Sequence, residues 1–198
     1  MMMPTIRRRA LLAFGATLCA TALVPRSRAT ALPADSIYQL RVGLTDQDGA
    51  ALELASMRGR PLLASMFYTS CQMVCPMIFE TVAGTLQALA PAQRAKVRVL
   101  MVSFDPARDT VAVLKETAHA HRCDAQWTLA RPDDESGARK IAALLGVQYR
   151  RLANGEFNHS SSIALVDADG RIGARSGKLG AVDDDLLKSI RAMASSCA

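Results

Sequence analysis

No acidic residue precedes Asp35, no proline follows Pro132, and only three histidines stand in the whole chain of 198 residues. The first absence leaves the opening segment purely basic. Arg7, Arg8, Arg9, Arg26 and Arg28 all come before Leu32, so the formal net charge of +6 misleads: without those five arginines, 19 Lys and Arg face 18 Asp and Glu. A near-neutral body gives no electrostatic reason to expect nucleic acid as a partner. There is also no internal repeat, no low-complexity run and no linker, which excludes repeat architectures and a two-domain split. Half the residues are hydrophobic, so disorder is not the default.

The basic opening reads as an export signal. Arg7-Arg8-Arg9 is its charged start, residues 10–24 its apolar run, and Ala29-Thr30-Ala31 a small-x-small cleavage site. The apolar run is about 15 residues, short for a spanning helix of about 20. An uncleaved N-terminal anchor is the alternative. Arg8-Arg9-Ala10-Leu11-Leu12 is similar to a twin-arginine signal, although Arg7 stands where Ser or Thr is usual. The expected division is therefore a signal peptide over 1–31 and one folded domain over 32–198. Cys19 lies in the signal, and its upstream Ala16-Thr17-Leu18 fits a lipoprotein cleavage box poorly. An exported domain is periplasmic, or membrane-associated where the signal stays uncut, and meets an oxidising compartment.

Four cysteines remain: Cys71, Cys75, Cys123 and Cys197. Cys123 and Cys197 either pair, pinning the C-terminal helix, or stay as two free thiols; spacing does not decide connectivity. Cys71 and Cys75 carry more information. They follow Leu62-Leu63-Ala64-Ser65-Met66-Phe67, a short apolar run that reads as a buried strand, and Pro76 follows them. Ile78, Val82, Leu86 and Leu89 then recur at helical spacing, and Pro suits a first helical turn. Both thiols thus sit at a strand-to-helix junction, near the positive end of a helix dipole that favours thiolate. A spacing of four puts two sulfurs on one helix face, where they can share a metal ion. A disulfide needs a closer approach, so Cys71 must lie in a pliable loop if the pair is to oxidise. Two inert cysteines or a plain stabilising disulfide is the bland alternative.

The rest of the chain alternates. Residues 38–44 and 50–54, around the turn Asp46-Gln47-Asp48-Gly49, read as a β-hairpin. After the strand at 62–67 come a helix over 76–90, a strand over 97–103, and a helix from Asp109 or Thr110 to His121. A short strand at 127–129, a helix over 134–145, a strand at 162–166 with a partner at 171–175, and a helix over 182–194 follow. This order predicts an α/β fold: a central mixed sheet flanked by helices, with an N-terminal β-hairpin. Open sheets of this kind carry their sites beyond the carboxyl ends of strands, which is where the cysteine loop falls.

Two thiolates and one imidazole make a donor set suited to copper or zinc. His119 and His121 lie at a helix end, where His commonly complements the dipole. His159 stands in a polar loop before a buried strand. If that strand neighbours 62–67, His159 faces the cysteines; otherwise it is a solvated loop residue.

Three blocks in order, Tyr68-Thr69-x-Cys71-x-x-x-Cys75-Pro76, Ser103-x-Asp105-Pro106-x-Arg108-Asp109-Thr110, and His159 leading to Asp167-x-Asp169-Gly170, resemble the Sco/SenC family over about residues 36–195. That resemblance implies a thioredoxin-like fold, copper, as Cu(I) or Cu(II), held by Cys71, Cys75 and His159, and a part in assembling the dinuclear copper centre of cytochrome c oxidase. It implies a metallochaperone rather than an enzyme, handing copper to an oxidase subunit or another exported copper protein at the membrane periphery. A redox disulfide between Cys71 and Cys75 would release the metal. The same dithiol also fits a thiol-disulfide oxidoreductase acting on a copper-accepting subunit, or a redox or copper sensor. Thioredoxin-like redox enzymes usually carry a cis-proline before the strand facing the cysteines. No proline is available there, which favours a metal site. The chain departs from the family at Gln72-Met73, where Pro-Asp or a similar pair is frequent, and at Asn158, where Asp commonly precedes the histidine. Met73 and Met77 set thioethers, soft ligands for Cu(I), beside the thiols, and core packing is the competing use of each. Asp105, Arg108 and Asp109 either support the cysteine loop or serve only as a cap and a local ion pair.

Overall fold

The expected strand at 62–67 is an interior strand of the sheet, paired on both sides. A computed structural model describes residues 31–196. The expected signal peptide over 1–31, all but its last residue, and Cys197 lie outside them. In the described chain β1 (Leu44–Asp46) and β2 (Ala51–Leu52) form the N-terminal hairpin, and β3 (Leu62–Phe67) leads to α1 (Val74–Gln87). Then come α2 (Pro91–Arg94), β4 (Arg98–Ser103), α3 (Val111–Ala120), β5 (Trp127–Pro132) and α4 (Glu135–Leu145). A second hairpin, β6 (Tyr149–Arg151) and β7 (Phe157–His159), precedes β8 (Ile163–Val166), β9 (Ile172–Ser176) and α5 (Asp184–Ser196).

One mixed sheet runs in the order β2-β1-β5-β4-β3-β8-β9, and β6-β7 makes a separate two-stranded sheet. β3, β4 and β5 are parallel, joined through helices, as the βαβ rule requires; β8 returns antiparallel beside β3. All six residues of β3 and all four of β8 are buried, so neither face of the centre meets water. This is why those runs are continuously apolar instead of alternating.

All three hairpins share one construction. A glycine with positive φ closes each three-residue loop: Gly49 (83°), Gly155 (83°) and Gly170 (93°). The left-handed conformation there is open to glycine without steric cost. Asp46 and Asp167 add an Asx contact, each carboxylate accepting two N–H groups of its own loop.

The structure corrects four boundaries. The N-terminal hairpin is shorter than expected, because Tyr38 is drawn into a 3-10 turn (Ile37–Gln39), capped by Ser36, and buried with its hydroxyl donating to the Met57 carbonyl. α1 starts two residues before Pro76, which puts Cys75 inside its first turn. β5 runs to Pro132 because it pairs on both sides, with β4 and β1. The β6–β7 hairpin was expected as loop; a strand pair of three residues each is too short to show periodicity, although Asn154-Gly155 between Leu152 and Glu156 is a hairpin signal.

Candidate metal centre

The register of β8 on β3 brings the site together. Leu62 pairs with Val166 and Ala64 with Ala164. Continued past the strand ends, that register sets position 159 level with position 69. The Ser65 hydroxyl, donating to the Ser162 carbonyl at 2.7 Å, holds the incoming chain at that height. His159 therefore arrives at the carboxyl end of β3, where the cysteine loop begins, at the end of a hairpin strand rather than in a loop.

His159 Nε2 stands 3.9 Å from Cys71 Sγ and 3.9 Å from Cys75 Sγ, and all three donor atoms lie within 4.8 Å of one another. Two donors at about 2.3 and 2.0 Å from a shared ion, at a trigonal angle, are about 3.7 Å apart. The observed separations fit a three-coordinate soft-metal site. His159 Nδ1 lies 3.1 Å from the Ser160 carbonyl, which only accepts; Nδ1 therefore carries the proton and Nε2 turns its lone pair to the sulfurs. The ring is also held edge-on against Tyr68, centroids 5.7 Å apart.

The two thiols differ. Cys71 lies in the turn before α1 and is half-exposed; Cys75 is buried. Met73, the N-cap, offers no side-chain bond to the helix. Cys71 Sγ accepts the Cys75 N–H instead, at 3.3 Å, so orphan donors of the first turn point at sulfur. Burial opposes ionisation of Cys71, but its contact with the His159 ring and the N–H groups of the first turn outweigh it and bring the thiol to about 7. Burial pushes the Cys75 thiol well above its ordinary range, despite a backbone bond from Tyr68. Iodoacetamide alkylation of the reduced protein is therefore expected to fall on Cys71, half-maximal in rate near pH 7. Tandem mass spectrometry locates the adduct, and equal labelling of Cys75 at that pH would contradict the asymmetry.

The loop after β4 supports both halves. Asp109, fully buried, accepts from Ser103 Oγ, Thr69 Oγ1 and the Thr69 N–H, tying the start of the cysteine loop to β4. Asp105, also fully buried, pairs with Arg108 and, at 3.2 Å, with Arg151 of β6. Arg108 goes on to the Gly155 carbonyl at 2.7 Å, and Arg151 to Glu135 at 3.2 Å. The hairpin bearing His159 is thus fastened to the same loop that fastens the cysteines. Tyr68 adds a third tie, donating to Glu156 Oε2 at 2.8 Å. No local pattern marks Arg151 or Glu156, because their roles depend on a hairpin whose strands are too short to show periodicity.

The other candidates stay apart. His119 is in the last turn of α3, and His121 stacks on Phe79 with centroids 4.0 Å apart; neither joins the donor group found among the described residues. Cys123 has no disulfide partner among the described residues, and Cys197, its expected alternative partner, lies outside them. The Met77 methyl fills space against Gly180, which is packing.

A mixed, thioredoxin-like α/β fold with two cysteine sulfurs and one imidazole grouped beyond the end of an interior strand defines a class of metal-handling dithiol proteins. The chain matches the SCO1/SenC family model over residues 34–195 and belongs to that family. A SCO1 protein homolog from Bacillus subtilis is 28% identical over 130 residues, 64% of this chain and 67% of that one. A putative copper-binding protein from Stutzerimonas stutzeri is 25% identical over 154 residues, 76% of this chain and 70% of its own. The structure of Bradyrhizobium japonicum ScoI with copper bound superposes with a TM-score of 0.65 at 26% identity, covering 77% of this chain and 96% of that chain.

Proposed function

We propose that this protein is an exported copper metallochaperone, with Cys71, Cys75 and His159 as its ligands. The observation that carries the reading is the convergence of two sulfurs and an imidazole nitrogen within 4.8 Å, one of the sulfurs half-exposed. Copper is favoured over harder ions by thiolate donors, and the copper-bound relative supports that choice. A three-donor site with an accessible edge suits transfer better than storage, because an incoming donor can bind before an old one leaves. The proposed acceptor is a copper-accepting subunit of cytochrome c oxidase, at its dinuclear copper centre, or another exported copper protein. The segment 1–31 is proposed as the export signal, and the domain 32–198 acts in the periplasm or at the membrane surface.

The dithiol supplies a release step. Oxidation of both thiolates to a Cys71–Cys75 disulfide gives two electrons to a partner disulfide, which becomes two thiols with two protons from solvent. Neither sulfur then binds copper as a thiolate. Cys71 stands outside the regular helix, which gives the pair the freedom this step needs.

The test is transfer. Copper-loaded protein is mixed with a metal-free acceptor subunit, and the acceptor's absorption is followed. Chaperoning predicts gain of copper by the acceptor from the parent protein, and no gain of Cu(II) from His159→Ala. A thiol-disulfide reductase, the second reading, predicts that His159→Ala still reduces an acceptor disulfide at an unchanged rate while copper stays where it was.

A further inference from the structure

Among the described residues one large hydrophobic side chain stands exposed, Met73, with 71% of its surface open. Neither packing nor capping accounts for it. Met57, Met66 and Met101 are buried and fill the core. The N-cap position that Met73 occupies is ordinarily taken by Ser, Thr, Asp or Asn, and Met73 makes no cap bond. Its place is midway between the two cysteines. Its side chain lines, with Cys71, Phe157 and His159, an open recess of about 400 Å³. Two of the three donors, Cys71 and His159, border the recess, and the buried Cys75 lies behind Cys71 in the first turn of α1.

We propose that the Met73 thioether is an entry and exit ligand for Cu(I), a fourth soft donor that takes the ion at the mouth of the recess and passes it to Cys71 and Cys75. This rests on the copper reading above. A thioether is neutral and binds Cu(I) through a sulfur lone pair, with no proton taken or released. On the way in, the bond from Met73 to copper gives way to bonds from the two cysteine sulfurs, and their thiol protons go to solvent. On the way out, Met73 holds the ion while a cysteine bond is replaced by the acceptor's donor. No electron moves in either direction. An exposed, weak donor of this kind lowers the barrier to exchange and leaves the equilibrium affinity to the three inner donors.

Met73→Leu keeps bulk and apolar character and removes only the sulfur. Measured by competition with a chromogenic Cu(I) chelator, its Cu(I) affinity is expected to stay within about threefold of the parent's, about 0.65 kcal/mol. The rate at which that chelator strips Cu(I) is expected to fall about tenfold, about 1.4 kcal/mol in barrier. A second measurement uses Ag(I), a soft ion without redox chemistry, and protein carrying 13C-methyl methionine with Cys71→Ser and Cys75→Ser. The methyl resonance that Met73→Leu removes is expected to shift on Ag(I) addition. Stripping rates equal in Met73→Leu and parent, or a Met73 methyl indifferent to Ag(I), overturn the proposal. A parent protein that takes up no Cu(I) would instead overturn the copper reading, and this one with it.

Discussion

Cys71→Ser is expected to lose at least about a thousandfold in Cu(I) affinity, about 4 kcal/mol, with the thiolate-to-copper charge-transfer absorption lost as well. The size follows from what the substitution leaves. A serine hydroxyl stays protonated at neutral pH and is a hard, weak donor. Cu(I) is then left with Cys75, whose thiol burial keeps protonated, and His159. His159→Ala separates the oxidation states. Two thiolates alone can still hold Cu(I), so its affinity falls less; Cu(II), which favours nitrogen donors, loses nearly all. The pH dependence of the parent has a definite sign. Metal binding expels thiol protons, so affinity rises with pH. Above the Cys71 value of about 7 only the Cys75 proton is left to expel. Log affinity should then climb about one per pH unit, and more steeply below pH 7, where Cys71 is protonated too. Isothermal titration at several pH values checks this. Tight copper binding that survives both substitutions, or affinity flat from pH 6 to 9, would remove the site.

How far this site was readable before folding differs residue by residue. Cys71, Cys75 and the strand before them announce themselves, because a run buried on both faces and a proline-marked helix start are local patterns. His159 does not. Its approach depends on β8 lying antiparallel beside β3, a pairing across about a hundred residues that no local pattern encodes. The family resemblance supplied that link, and the register supplies the reason. Asp105 and Asp109 read either as support for the cysteine loop or as a cap and a local ion pair, and the Asp105–Arg108 contact is indeed local. Their other partners, Arg151 and Thr69, lie 46 and 40 residues away in sequence. Such ties exist only once the sheet has set the loop after β4 between the cysteine loop and the β6–β7 hairpin. Met73 is the reverse case: its position between the thiols is plain in the sequence, and its exposure is not.

Asp109→Ala should damage both stability and copper binding without touching a proposed ligand. Asp109 is a fully buried carboxylate, and burial raises its proton affinity against the hydrogen bonds that oppose this. Its three donors, Ser103 Oγ, Thr69 Oγ1 and the Thr69 N–H, would all lose their acceptor. A buried donor left without a partner costs about 1–3 kcal/mol, and Thr69 is near enough to solvent for water to recover part. The expected loss is about 3 kcal/mol, about 10 °C in Tm for a domain of this size. Asp109→Asn keeps one acceptor oxygen for the Thr69 N–H and sheds the desolvated charge, while the two hydroxyls can turn. It should cost about 1 kcal/mol. Denaturant unfolding of the metal-free protein measures both. Because Thr69 begins the loop that carries Cys71, the Ala variant should also bind copper about tenfold more weakly although every ligand is present, as loosened support of a ligand typically does. Equal stability of Asp109→Ala and parent would show that Thr69 is held by something other than this carboxylate, and that the loop after β4 does not brace the cysteines.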